Sequence, residues 1–146
     1  MSWRKVPNFH SRRLGLRRAN TRPTAAYACG GGDSPTTALR WSGALTQAAQ
    51  AHSLDMQANN FFSHTGSNGS TLRQRINTTG YTWSAIAENI AAGQATVNGV
   101  VDGWMASDGH CANLMNPSLV DVGLVCVAGT ASSSFSTYWT MDLGKP

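Results

Sequence analysis

Two histidines, a glutamate and a serine stand where ordered segments give way to loops: His64, Glu88, Ser107 and His110. Imidazole in its neutral form is the commonest metal ligand, and a nearby carboxylate can fix its tautomer or ligate directly. That chemistry needs side chains that face a cleft. The stretch Asn59–Thr71, "NNFFSHTGSNGST", suits it: two aromatics run into His64 and the chain then turns small, polar and glycine-rich. Phe61 and Phe62 are expected to anchor the base of this segment in the core. Gly66 and Gly69 let the chain turn away without covering the imidazole. On spacing alone the four residues also have an ordinary reading, with His110 opening a helix, Glu88 tied to backbone amides and His64 a plain loop histidine.

The elements that must position them follow from periodicity. "GALTQAAQAHSLDMQANNFF" (43–62) predicts a helix with Leu45, Ala48, Ala49, His52 and Met56 on one face. His52 is thereby read as a packed stripe residue and not a ligand. "STLRQRI" (70–76) predicts a short helix capped by Ser70, and "TTGY" breaks it. "AIAENIAAG" (85–93) is apolar and ambiguous. "TVNGVVDGWM" (96–105) predicts a helix capped by Thr96, with Val97, Val100, Val101 and Trp104 on one face and "SDG" (107–109) as its stop. "HCANLM" (110–115) predicts a short helical turn ended by Pro117.

Beyond it the pattern becomes β, with "VDVGLVCVA" (120–128) and the alternating "STYWTMDLG" (136–144) joined by a hairpin loop. Helices followed by a closing strand pair predict an α+β domain on a mainly antiparallel sheet.

Composition sets the bounds. The 146 residues suit one domain, 41% apolar and only 12% charged. The surface therefore relies on hydroxyls and amides, as in exported proteins. Residues 1–40 hold eight arginines and lysines against one aspartate, and residues 41–146 hold three against six acids. The pI near 9.3 describes the N-terminal segment, not the body. Residues 1–35 are read as a basic, solvated leader and linker, and 36–146 as the domain.

The arginines lack aromatic interleaving or a nucleic-acid motif, so no specific nucleic-acid partner is expected. No apolar run of about 7–15 residues follows the early charges, so no signal peptide is visible. No transmembrane span is present either.

Cys29, Cys111 and Cys126 form no CxxC, which argues against a structural zinc site. Cys111 and Cys126 flank a proline-containing connection and are candidates to pair, leaving Cys29 over. HExxH, GxSxG, a P-loop and the deaminase pattern are all absent. Asn68-Gly69-Ser70 and Asn77-Thr78-Thr79 are sequons for glycosylation.

From Leu39 to Gly144 the chain resembles the bacterial branch of the CAP superfamily, the SCP-like extracellular domain. Seven segments carry the resemblance in order: "LRWSGALTQAAQAHSLDM", "FFSHTGSNGST", "RINTTGY", "AENIAAG", "VVDGWMASDGHCANLMNP", "DVGLVCV" and "YWTMDLG". It implies a three-layer α-β-α sandwich with a central cleft holding two histidines and two acids. His64 in "FSHTG" and His110 in "SDGHCANLM" match the histidines, which in the family can bind a divalent metal such as zinc. Glu88 in "AENIA" matches the first acid. The second acid, W-x-x-E in animal and plant members, is replaced here by Ser107 in "WMAS". Asp108 follows it and could substitute as a cleft residue beside Glu88 and Ser107, though its direction would differ.

Two histidines alone would hold zinc loosely, since catalytic zinc usually keeps three protein ligands. Glu88 would act as a third ligand, a supporting partner or a general base. The resemblance also implies a Cys111–Cys126 disulfide and a secreted or surface location. The reading is a monomeric secreted protein that binds a lipid, glycan or protein partner and holds a metal weakly. The alternative is a metal-assisted hydrolase of peptides or cell-wall material, with Glu88 as base. A third reading has the basic arm docking to anionic polymers.

Overall fold

A computed structural model describes residues 39–146. The basic leader assigned to 1–35, with Cys29, lies outside the described residues. Within them the elements run β1 (Arg40–Trp41), α1 (Gly43–Ala58), α2 (Leu72–Asn77), β2 (Ala85–Ala92), α3 (Val97–Met105), α4 (Asp108–Leu114), β3 (Asp121–Ala128) and β4 (Thr137–Lys145). The four strands form one sheet in the order β1-β3-β4-β2. β3, β4 and β2 pair antiparallel, and the two-residue β1 adds to β3 in parallel, so the sheet is mixed.

Side chains alternate across a strand, so each strand feeds two faces. One face carries Val122, Leu124, Trp139, Met141 and Leu143, buried against Val100, Val101 and Trp104 of α3 and Leu114 of α4. The other carries Ile86, Ile90 and Tyr138, which meet Leu45, Ala48 and Met56 of α1 and Ile76 of α2. The expected three-layer α-β-α sandwich is what forms.

α1 buries the predicted stripe of Leu45, Ala48, Ala49, His52 and Met56, and Ser53 joins it with a 2.7 Å hydrogen bond to Thr140. Ser42 caps it, its hydroxyl accepting from the Leu45 amide. The helix ends at Ala58 and not at Phe62. Asn60 takes a left-handed φ of 50°, a conformation asparagine tolerates, and the chain turns there. Its side-chain oxygen accepts from the Ser134 amide and from the Tyr138 hydroxyl, which fixes the turn.

α2 is capped by Thr71, one residue later than expected. A capping box needs glutamate or glutamine three residues after the cap, and Gln74 sits three after Thr71. The ambiguous 85–93 segment is the outer strand β2. Helices cover both its faces, so its sequence lacks the polar alternation that marks a half-exposed strand. "SDG" does not simply stop a helix: it opens α4, with Ser107 in extended N-cap backbone geometry.

No disulfide joins Cys111 to Cys126. Cys111 lies on α4, which packs on β2, whereas Cys126 lies on β3.

The sheet approaches α1 most closely at Gly123, where an added Cβ would overlap the backbone of Leu45 and Thr46. Gly123→Ala is therefore expected to cost about 1–3 kcal/mol through overpacking, read by urea unfolding. Gly43→Ala, at an open position in the first turn of α1, should be neutral or stabilising by up to about 1 kcal/mol. Equal effects at the two glycines would refute the close approach.

Candidate functional site

Glu88 sits at the centre of the charged groups. Its side chain, only 2% exposed, leaves β2 on the α1 face of the sheet. Oε1 accepts from Nδ1 of His64 at 2.8 Å, and Oε2 accepts from Nη2 of Arg75 at 2.7 Å. Nε2 of His52 lies 4.0 Å from the same Oε1. Burial works to raise the Glu88 pKa. The His64 hydrogen bond and the Arg75 charge outweigh it and hold the carboxyl below its ordinary range.

Directly opposite Glu88 on β4 is Asp142, fully buried. The carbonyls of Glu88 and Ile90 turn away from β4, accepting from Asn113 and Trp104 respectively. The Glu88·Asp142 pair is therefore of the non-hydrogen-bonded kind, in which opposing side chains stand closest. Burial first, then the Glu88 charge, push the Asp142 pKa well above the usual carboxyl value. Like charges so close disfavour joint ionisation, so the pair favours a single negative charge, opposite the Arg75 guanidinium.

The loop that delivers His64 is tied down beyond it. Asp55 of α1 accepts from the amide and hydroxyl of Ser67 and from the Asn59 amide group. Burial opposes ionisation of Asp55, yet these bonds prevail and lower its pKa. Gly69 takes φ of 80°, which glycine adopts without strain. Phe61 packs at the margin of the core beside Met56, Ile90 and Tyr138. Phe62 does not anchor in the core as expected. It is 47% exposed and tilts against the Phe135 ring, 5.9 Å between centroids.

His110 is presented from α4 on the far side of β2. Its carbonyl accepts from Asn89, and Asn113 in turn donates to Asn89. The Ser107 hydroxyl makes no cap bond to α4; it lies 3.0 Å from Nδ1 of His110. Burial, followed by the nearness of His64, lowers the His110 pKa. A cleft of about 350 Å³ opens beside the outer edge of β2, lined by His110, Ser107, Trp104, Gln94, Phe62 and Phe135 among others.

Of the residues singled out in the sequence, His64 and Glu88 are directly bonded. His110 and Ser107 form a second bonded pair, near enough to His64 for the imidazoles to influence each other. Glu88 does not line the cleft, and Asp108 is exposed in the first turn of α4, away from it.

The sequence reading passed over Arg75 and Asp142 and assigned His52 to packing alone. Asp142 left a signal, since it shares the strand face of Tyr138 and Thr140 that must be buried. In both site histidines Nδ1 is engaged, and Nε2 has no partner among the described residues. That donor set suits a cation held by two imidazoles and water. Among the described residues no group of three or more His, Cys, Asp or Glu is arranged to hold a metal ion.

The model of the cysteine-rich secretory protein family (CAP) matches residues 18–143. The uncharacterized protein YkwD of Bacillus subtilis is 35% identical over 80 residues, covering 55% of this chain and 31% of that protein. The uncharacterized membrane protein YlbC of the same organism is 31% identical over 86 residues, 59% of this chain and 25% of that one.

The crystal structure of an extracellular SCP-domain protein from Bacillus anthracis superposes with a TM-score of 0.65 at 28% identity, over 76% of this chain and 35% of its own. An outer surface protein of Borrelia burgdorferi gives a TM-score of 0.65 at 24% identity, over 73% of this chain and 77% of its own, and at that identity speaks for the fold alone. The chain thus spans a third or less of the length of its Bacillus subtilis relatives. Among the described residues no helix is long and apolar enough to cross a membrane.

The carboxyl pair has a pH signature. The Asp142 pKa is raised in the fold, so its contribution is full below its ordinary value of 3.8 and is lost as pH rises through its folded pKa. Asp142→Asn keeps a donor beside Glu88 and cannot ionise. Thermal unfolding from pH 4 to pH 9 is expected to show the variant gaining on the parent as pH rises. A difference that stays constant with pH would show that Asp142 ionises normally.

Proposed function

Because the chain belongs to the cysteine-rich secretory protein (CAP) family, we propose that it is a binding domain acting outside the cell. In this reading His64 and His110 hold a divalent cation such as zinc weakly, with water completing the shell, and the neighbouring cleft takes part of a lipid, glycan or protein ligand. The observation that carries it is the shared tether: each imidazole is bonded through Nδ1, to Glu88 or to Ser107. A bond donated from Nδ1–H, as to the Glu88 carboxylate and in this reading also to the Ser107 hydroxyl, fixes a metal-ligating histidine's ring and leaves the other nitrogen for the ion. The location rests on the Bacillus anthracis relative, described as an extracellular protein. A bound cation would supply a positive charge that attracts a polar group of the ligand.

The alternative, a metal-assisted hydrolase, asks Glu88 to take a proton from water. Its two oxygens are already occupied by His64 and Arg75, and its pKa is lowered rather than raised. An effective general base is tuned the other way, towards the working pH. The family's second acid is a serine here, which removes the other candidate. These features favour binding.

Isothermal titration with zinc at neutral pH tests the site. The parent is expected to take up one equivalent, and the His64→Ala/His110→Ala double variant to bind more than about tenfold more weakly. Zinc-dependent turnover of a peptide or peptidoglycan panel by the parent, absent in the double variant, would establish the hydrolase instead. Identical zinc binding by both proteins would remove the metal from the proposal.

A further inference from the structure

His52 is wholly buried on α1, the position of a packing residue, yet it is bonded as a positioning one. Its Nε2 lies 2.8 Å from the carbonyl oxygen of Ser63, the residue immediately before His64. A carbonyl only accepts, so Nε2 carries the proton and Nδ1 is left as a bare acceptor. That Nδ1 is buried and has no partner among the described residues. Leucine or methionine would fill the same space without stranding a polar atom. The Phe61 ring meets the imidazole edge-on at 6.4 Å, which holds it from the other side.

The loop around His64 is exposed, and the His64 side chain itself is 57% exposed. Its direction must therefore come from fixed points on the backbone. Asp55 provides one at Ser67, three residues after His64. His52 provides the other at Ser63, one residue before it. The two grips come from residues three apart on α1, which share a face of that helix. Nε2 of His52 is also 4.0 Å from Oε1 of Glu88, the oxygen that accepts the His64 hydrogen bond. Helix, loop and strand so close a ring around one hydrogen bond.

We propose that His52 is a positioning residue for the site: by holding the Ser63 carbonyl it aims His64 so that Nδ1–H meets Glu88 and Nε2 is left facing outward as a ligand. The ligand half of this statement rests on the metal reading above, and the aiming half does not.

The test uses nitrogen-15 NMR of the imidazoles at pH 8 and zinc titration on the same samples. In the parent, His52 is expected as the Nε2–H tautomer and His64 as the Nδ1–H tautomer. His52→Phe keeps the ring and loses the donor, whereas His52→Gln keeps a donor. His52→Phe should let His64 drift to the Nε2–H form and weaken zinc about tenfold, and His52→Gln should restore both towards the parent.

A His52→Phe protein that melts lower but keeps the His64 tautomer and the parental zinc affinity would overturn the proposal and leave His52 a packing residue. Should that variant fail to fold, the parent spectrum decides, because a His52 protonated on Nδ1 is incompatible with the bond to Ser63. Tautomers that shift as expected in proteins that never bind zinc would sink the metal reading and leave the positioning role standing.

Discussion

One buried negative charge organises this molecule. The Glu88 carboxyl is buried inside the sandwich and held below its ordinary pKa, and an isolated carboxylate in such a place is strongly disfavoured. Its two oxygens are met by Arg75 from α2 and His64 from the following loop's predecessor, the segment that leaves α1. Arg75 is itself nearly buried and also donates to the Ser70 carbonyl. The carboxylate therefore pins both ends of the connection between α1 and α2. Removing one partner of such a buried pair leaves the other charge uncompensated, which makes the arrangement an all-or-none constraint.

The strand order turns that constraint into a site. β2 is the outer strand beyond β4, so its free edge faces outward between the two helical layers. An unpaired edge is a hazard unless covered. Here Trp104 and Asn113 take the carbonyls of Ile90 and Glu88, and Asn89 reaches the His110 carbonyl. The same contacts that satisfy the edge carry α3 and α4 up to it, and with them Ser107 and His110. Glu88 brings His64 from the opposite layer. The two histidines come to β2 from opposite layers because both layers are fastened to the same few residues of that strand.

What the sequence revealed of this follows from how local each feature is. The α1 stripe and the β4 alternation are periodic in their own segments and were legible, as was the α+β order. β2 was not, because a strand covered on both faces has no alternation to show. Where α4 begins was hidden by "SDG", whose serine and aspartate serve equally to end one helix and open the next. His64, Glu88 and His110 stood out through the family resemblance, and Ser107 through its departure from it.

Arg75 and Asp142 were invisible, since each acts on Glu88 only through tertiary register. The phenylalanine pair misled for a related reason. Aromatic type argues for burial, but the chain turns at Asn60, and Phe62 emerges on the outside to meet Phe135.

The loss of the second acid changes the electrostatics of the site more than its shape. With the Asp142 pKa raised and Glu88 paired to Arg75, the buried cluster is biased towards neutrality. Ser107 contributes a dipole to His110 where a carboxylate would have contributed a charge. The imidazoles consequently see no surplus anion: His110 is pushed towards its neutral form by burial and by His64, and nothing opposite it favours the cation. Both oxygens of the Glu88 carboxylate are engaged, by His64 and Arg75. Next to His110 lies a cleft walled by Phe62, Phe135 and Trp104, surfaces that hold a ligand by contact area and aromatic packing. The buried carboxylate is thus committed to holding the fold and the loop of His64 together, while the aromatic cleft beside His110 is left open.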